Sequence, residues 1–146
     1  GGLLRAQQAQ LQIDADFVGG DSNDNPDFYK LAGASAEGSV LINFPTPEIL
    51  PYPEAKKYLA AYKTKFQMDP PSIWSVTNAD GLRAVIEGVE KTNSFDTKKI
   101  SDYIRTMKDF PGITGPFNIR EDGERVGAKF VVYKMKNDGT KDVVSE

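Results

Sequence analysis

The sequence predicts an α/β chain made of two bodies, and three observations carry that prediction. Short apolar runs at residues 15–18 and 39–44 are set among segments whose apolar residues recur at helical spacing. Pro45, Pro47, Pro51 and Pro53 fall within nine residues and break regular structure four times, which places a crossover between two parts of the chain. From residue 115 onward, strand-like runs are separated by the turn signals Asp122-Gly123 and Asn137-Asp138-Gly139.

The elements follow in chain order. Residues 3–11, rich in Ala and Gln, predict a helix, and residues 15–18 a short strand stopped by Gly19-Gly20. Asn25 is suited to cap a second helix and Pro26 to its first position, where a missing N–H costs nothing. Phe28 and Leu31 would supply that helix's apolar contacts, and Gly33 would end it. Residues 39–44 are mostly apolar, which predicts a strand buried on both faces. Three helices come next. The first buries a stripe of Ala55, Tyr58, Leu59, Tyr62 and Phe66. The second starts at cap Ser72 and runs past Leu82, Val85, Ile86 and Val89. The third starts near Asp96 or Thr97 and buries Ile100, Tyr103, Ile104 and Met107, and Phe110-Pro111-Gly112 ends the helical run. Residues 115–119, 129–136 and a short run around Val143 complete the tail as strands.

Composition narrows the chemistry. The chain is 39% hydrophobic and 27% charged, enough to bury a core and stay soluble. Its 18 basic and 21 acidic residues are interspersed, with no basic run to track a phosphate backbone, so nucleic acid is not an expected partner. Its apolar stretches are too short to cross a bilayer. Histidine and cysteine are both absent. That removes the commonest general base and metal ligand, together with thiol chemistry, and no cofactor or metal is expected. The chain opens mid-pattern on Gly1-Gly2-Leu3, as if cut from something longer.

Four strings, in their order and spacing, resemble the Leu/Ile/Val (branched-chain amino-acid) binding family of extracytoplasmic solute-binding proteins. Phe17-Val18-Gly19-Gly20-Asp21 is similar to the family's strand-to-loop element, and Leu31-Ala32-Gly33 with Ala36-Glu37-Gly38 to its next helix end and strand entry. Tyr58-Leu59-Ala60-Ala61-Tyr62-Lys63 resembles a family helix, and Phe110-Pro111-Gly112-Ile113-Thr114-Gly115-Pro116-Phe117 with Asp122-Gly123 resembles a family signature. The departures are Asn118 to Arg120, in place of a more usual Phe-Asp, and Ala79, where an aromatic is common before Asp80.

The resemblance covers nearly the whole chain but only the C-terminal part of such a protein, so the upstream remainder is expected to be absent. It implies a type I periplasmic-binding-protein-like α/β fold: parts of two lobes, each with a mostly parallel sheet flanked by helices, joined by hinge crossings. Residues 1–43 and 127–146 are expected in the second lobe and 48–122 in the first, with crossings at 44–47 and 123–126.

Asp21 is the main candidate for ligand binding. It follows a strand and two glycines, and ligands of open α/β sheets collect at strand carboxyl ends. The competing reading is a turn cap within Asp-Ser-Asn-Asp-Asn. The resemblance implies that Asp21 pairs with the α-ammonium group of an amino acid, and that Trp74, the only Trp, lines the pocket against the ligand's side chain. Core packing is the alternative role for Trp74. Ser22 and Asn23 are placed to hydrogen-bond ligand or water beside Asp21, or to shape the loop.

The resemblance further implies a binding protein and not an enzyme: the substrate-binding component of an ABC transporter for amino acids, branched-chain or related. Its ligand would lie in an interlobe cleft, and its closed form would dock on an ABC permease. A sensory or receptor ectodomain would share the same pocket. A small α/β enzyme would need more than Gly19-Gly20 and carboxylates. Such a protein works in the periplasm or outside the cell, as a cell-surface lipoprotein where there is no outer membrane. First-lobe helices without the sheet they cover would expose apolar stripes, so self-association of the fragment is expected.

Overall fold

The structure, a computed structural model, describes residues 1–145 and divides into two compact units. One comprises Gly1–Pro45 with the chain from Lys129 onward, and the other Thr46–Ala128.

In the first unit, helix α1 (Gly2–Gln10) packs on α2 (Pro26–Ala32) and on the 3₁₀ turn Gly33–Ala36. The approach is close: a Cβ on Gly2 would meet the Phe28 carbonyl oxygen at 2.8 Å. Asn25 caps α2 as its position predicts, its side-chain oxygen accepting from Phe28 N–H at 3.2 Å, with Pro26 at the first position and Gly33 at the end.

The sheet has the order β1 (Val18–Gly19), β2 (Val40–Asn43), β6 (Val131–Met135), β7 (Lys141–Ser145). Its core is Phe28, Ala32, Ala36, Leu41, Val131, Tyr133 and Met135. Leu31, expected inside with Phe28, is 49% exposed, and Ala32 takes the buried position instead. The prediction that β2 is buried on both faces is also corrected. Leu41 and Asn43 are buried while Ile42 is 41% exposed, the alternation of a strand with one covered face.

The second unit holds α3 (Pro53–Phe66), α4 (Ile73–Thr92), α5 (Thr97–Ile104) and a small sheet of β3 (Phe110–Gly112), β4 (Gly115–Ile119) and β5 (Arg125–Val126). The helix starts match their predicted caps in position. Asp96 accepts from Lys99 N–H, whereas the Ser72 hydroxyl makes no cap bond. On α3 only Ala55 of the predicted stripe is buried, and Phe66 is exposed.

The buried face of α4 is the one that carries its smaller residues. Ile73, Val76, Asp80, Ala84 and Gly88 point inward, while Leu82 is 61% and Ile86 48% exposed. Small residues decide this phase, because Gly88 lets α5 approach until an added Cβ would stand 2.9 Å from Ile100 Cγ2. Ala84 joins Met107, Phe110, Phe117 and Ile119 in one cluster of this unit's core.

The chain is α/β, but its sheets are not mostly parallel. Among the described residues β1 and β2 run parallel, whereas β2–β6, β6–β7, β3–β4 and β4–β5 are antiparallel. Connection length explains this, since β6–β7 and β3–β4 are joined by short turns and a parallel pair needs a long crossover. Phe110-Pro111-Gly112, expected only to end the helical run, forms β3. Proline is tolerated there because β3 is a short edge strand. Arg125 and Val126, expected in the second crossing, pair with β4 and belong to the second unit.

Gly115 starts β4 at φ +100°, and a Cβ there would fall 2.5 Å from Tyr52 Cζ. Gly115→Ala should therefore destabilise the protein by about 2–4 kcal/mol, from backbone strain and overpacking together. A shift of the urea midpoint, at unchanged m-value, measures this.

Candidate functional site

The site is built where β1 and β2 end together. Val18 pairs with Val40 and Gly19 with Leu41 in parallel register, so the segment after Gly20 leaves from the carboxyl end of two parallel strands. A side chain at Gly19 would crowd its neighbours: a Cβ would stand 3.0 Å from both Asn23 Nδ2 and Leu41 Cδ2. After extended Gly20 the chain closes into the 3₁₀ turn Asp21–Asn23. Asn23 N–H donates to the Gly20 carbonyl and Asp24 N–H to the Asp21 carbonyl, each at 3.0 Å.

Asp21 opens this turn half-buried. Its Oδ1 accepts from Ser22 N–H at 2.6 Å, and no hydrogen bond reaches Oδ2 from the described residues. Among the described residues no cation stands within ion-pair distance of it. The turn-cap reading thus accounts for one oxygen of the carboxylate, and the other is left for a further donor. Ser22 is exposed, and its carbonyl accepts from Asn25 Nδ2 at 2.6 Å. The side chain of Asn23 lies against Gly19 and Gly1, so it is loop-shaping in this structure.

A second carboxylate in the loop is fully partnered. Asp24, its side chain 9% exposed, receives Lys141 Nζ at 2.5 Å on each oxygen and Asn43 Nδ2 at 2.9 Å on Oδ2. Lys141 Nζ also sits 4.0 Å from the Tyr133 ring centroid. Asn43, buried at the end of β2, accepts from Phe44 N–H at 2.7 Å, and the Tyr133 hydroxyl donates to the Phe44 carbonyl at 3.3 Å. None of Asp24, Asn43 and Lys141 is singled out by local sequence, because the partners are 19 and 117 residues apart.

Trp74 lies in the other unit, second in α4 and 41% exposed. It is not a core residue. The structure brings Asp21, Ser22 and Asn23 together in one turn and puts Trp74 in a separate unit.

Asp80 is the polar centre of the second unit. It is buried in α4, and its Oδ1 accepts from Ile113 N–H at 2.6 Å. Its Oδ2 accepts from Thr114 N–H at 3.0 Å and from the Thr114 hydroxyl at 2.6 Å. Arg83 pairs with it at 3.4 Å and donates to the Pro111 carbonyl at 2.9 Å. Arg125 donates to Thr114 Oγ1 at 2.7 Å and stacks 4.2 Å from the Phe117 ring centroid. Burial pulls the Arg125 guanidinium below its ordinary pKa, against the opposing pull of Asp80 and Tyr52. Asp80 therefore fastens the β3–β4 turn to α4, a structural task and not a ligand contact. One sequence signal could have shown it: an Asp four residues from both Val76 and Ala84 on a helix.

Among the described residues no group of three His, Cys, Asp or Glu is placed to hold a metal, and no helix is long and apolar enough to cross a membrane. The polar group that the Asp21–Asn23 turn leaves with an open position among the described residues is the Asp21 carboxylate.

A family model described as periplasmic binding protein matches residues 4–140. The leucine-, isoleucine-, valine-, threonine- and alanine-binding protein of Pseudomonas aeruginosa is 29% identical over 98% of this chain and 37% of its own length. Among solved structures, the leucine-binding protein LivK of Thermotoga maritima superposes with a TM-score of 0.85 at 29% identity, covering 99% of this chain and 40% of that one. The branched-chain amino-acid transporter substrate-binding protein LivJ of Streptococcus pneumoniae, in complex with isoleucine, superposes at 0.75 with 26% identity, covering 99% and 41%. The chain thus spans well under half the length of these relatives. Neither the family nor the fold is that of an enzyme. On its matched residues, its fold and the similarity of its relatives, the chain belongs to the periplasmic binding protein family.

Proposed function

We propose that the whole protein is the substrate-binding component of an ABC transporter for amino acids, branched-chain or closely related, and that Asp21 receives the ligand's α-ammonium group. The observation that carries this reading is a half-buried carboxylate at the carboxyl end of parallel strands, with no hydrogen-bond partner on one oxygen and no cation in ion-pair reach among the described residues. Its loop-mate Asp24 is fully paired, so Asp21 is the loop's carboxylate left for a cationic solute. The similarity to proteins named for leucine, isoleucine and valine binding supports the choice of ligand class. Trp74, exposed at the start of α4, is assigned to the ligand's side chain, and Ser22 and Asn23 to the loop's shape and hydration.

In this reading the first unit is part of the second lobe and Thr46–Ala128 is part of the first. Ligand shifts the whole protein toward a closed form that an ABC permease recognises. The protein works in the periplasm or outside the cell. Calorimetric titration of L-leucine and L-isoleucine into the whole protein and its Asp21→Asn variant tests the assignment.

The isolated 146-residue chain is expected to self-associate. Leu82, Val85 and Ile86 form an exposed apolar face on α4. Beside it, Val85, Ile100, Ile104 and Ile119 line an apolar cavity of ≈ 410 Å³. Sedimentation at high micromolar concentration should show dimers or larger species, reduced by Leu82→Lys. A monomer at every concentration contradicts this.

A further inference from the structure

Residues 21–27 carry three carboxylates, and only one of them can serve a solute well. Asp27 is exposed in the first turn of α2, where the helix N-terminus favours it. Asp24 and Asp21 are joined by the backbone bond that closes the turn, Asp24 N–H to the Asp21 carbonyl at 3.0 Å. Whatever fixes Asp24 therefore fixes the backbone from which Asp21 projects.

What fixes Asp24 is Lys141. The ammonium reaches both carboxylate oxygens at 2.5 Å, is only 22% exposed, and rests on the Tyr133 ring. It has a rigid base, since Lys141 opens β7 and its register partner is Met135 of β6. Asn43 holds the carboxylate from the other side, at the end of β2. The loop is thus fastened to two strands of the sheet by charged and polar contacts from residues far away in sequence.

We infer that Lys141 and Asp24 are positioning residues for the ligand site, an inference that rests on the reading of Asp21 as the ammonium contact. The pair acts in two ways. It holds the 3₁₀ turn in the geometry that presents Asp21 Oδ2, and it neutralises Asp24 so that the loop offers a cation one carboxylate instead of two in competition. Without Lys141, Asp24 becomes a nearly buried carboxylate with no counter-charge, and the loop gains by turning it outward to water. That movement displaces Asp21.

The experiment is calorimetric titration of L-leucine into the whole protein carrying Lys141→Met, Lys141→Arg, or Asp24→Asn with Lys141→Gln. Met keeps the aliphatic bulk and loses the charge, so affinity should fall about tenfold or more. Arg can still bridge both oxygens, so affinity should return to within about threefold of wild type. That rescue separates charge-dependent positioning from packing. If Lys141→Met does not fold, the double variant leaves no buried charge and should bind about fivefold more weakly. Affinity within about twofold of wild type in folded Lys141→Met, or in the double variant where Lys141→Met does not fold, overturns the inference. So does Lys141→Arg binding as weakly as Lys141→Met. Asp21→Asn titrated in parallel distinguishes the two readings. Unchanged binding there removes the ammonium assignment itself, whereas its loss beside an unaffected Lys141→Met removes only the role of Lys141.

Discussion

Replacing Asp80 with Ala is expected to cost the protein about 3–5 kcal/mol of stability, the cost of stripping a buried charged acceptor from its partners. Four donors converge on the carboxylate: Ile113 N–H, Thr114 N–H, the Thr114 hydroxyl and, at 3.4 Å, the Arg83 guanidinium. Ile113 is buried, so its N–H cannot turn to water when the acceptor is removed. The β3–β4 turn then loses its attachment to α4, and Phe110 and Phe117, which pack at a ring distance of 5.0 Å on either side of that turn, lose their alignment. Against a typical stability of about 5–15 kcal/mol this is a large fraction. Thr114→Val removes the hydroxyl's bond to Asp80 and its acceptance from Arg125 and should cost about 2–3 kcal/mol. Urea unfolding of the two variants measures both, and equal losses would show that the backbone N–H bonds contribute little.

Legibility of the fold followed the range of the interactions. Asn25 and Pro26 announce the start of α2 because capping is decided within one turn of chain. Residues 131–135 read as a strand because their apolar run is local as well. Elements fixed by contacts distant in sequence were read differently. Leu82 and Ile86, prominent in the sequence of α4, stay exposed, while Ala84 and Gly88 turn inward because α5 comes close. β3 was hidden by Pro111, which a central strand would exclude and an edge strand accepts. At the candidate site, the strand, the two glycines and Asp21 lie within four residues of one another, so the position of the carboxylate at a strand end was readable. The pairing of Asp24 with Lys141 across 117 residues was not.

Replacing Asp21 with Asn should weaken amino-acid binding by the full value of a desolvated charge contact. Truncating one partner of a buried, hydrogen-bonded charge pair costs roughly 2–5 kcal/mol, much of it from the ammonium left unpaired. In affinity this is about 30-fold to several thousandfold. The change is nearly isosteric, and the amide oxygen can still accept from Ser22 N–H, so the loop should keep its shape and stability should move little. A ligand without an α-ammonium group should be indifferent to the substitution, which supplies an internal control.

The most direct measurement is therefore the dissociation constant of L-leucine for the whole protein, wild type against Asp21→Asn, by isothermal titration calorimetry. A drop of at least about 30-fold, with the unfolding midpoint unchanged, is the predicted result. Equal affinity in the two proteins would contradict the claim that this carboxylate receives the ligand's ammonium group.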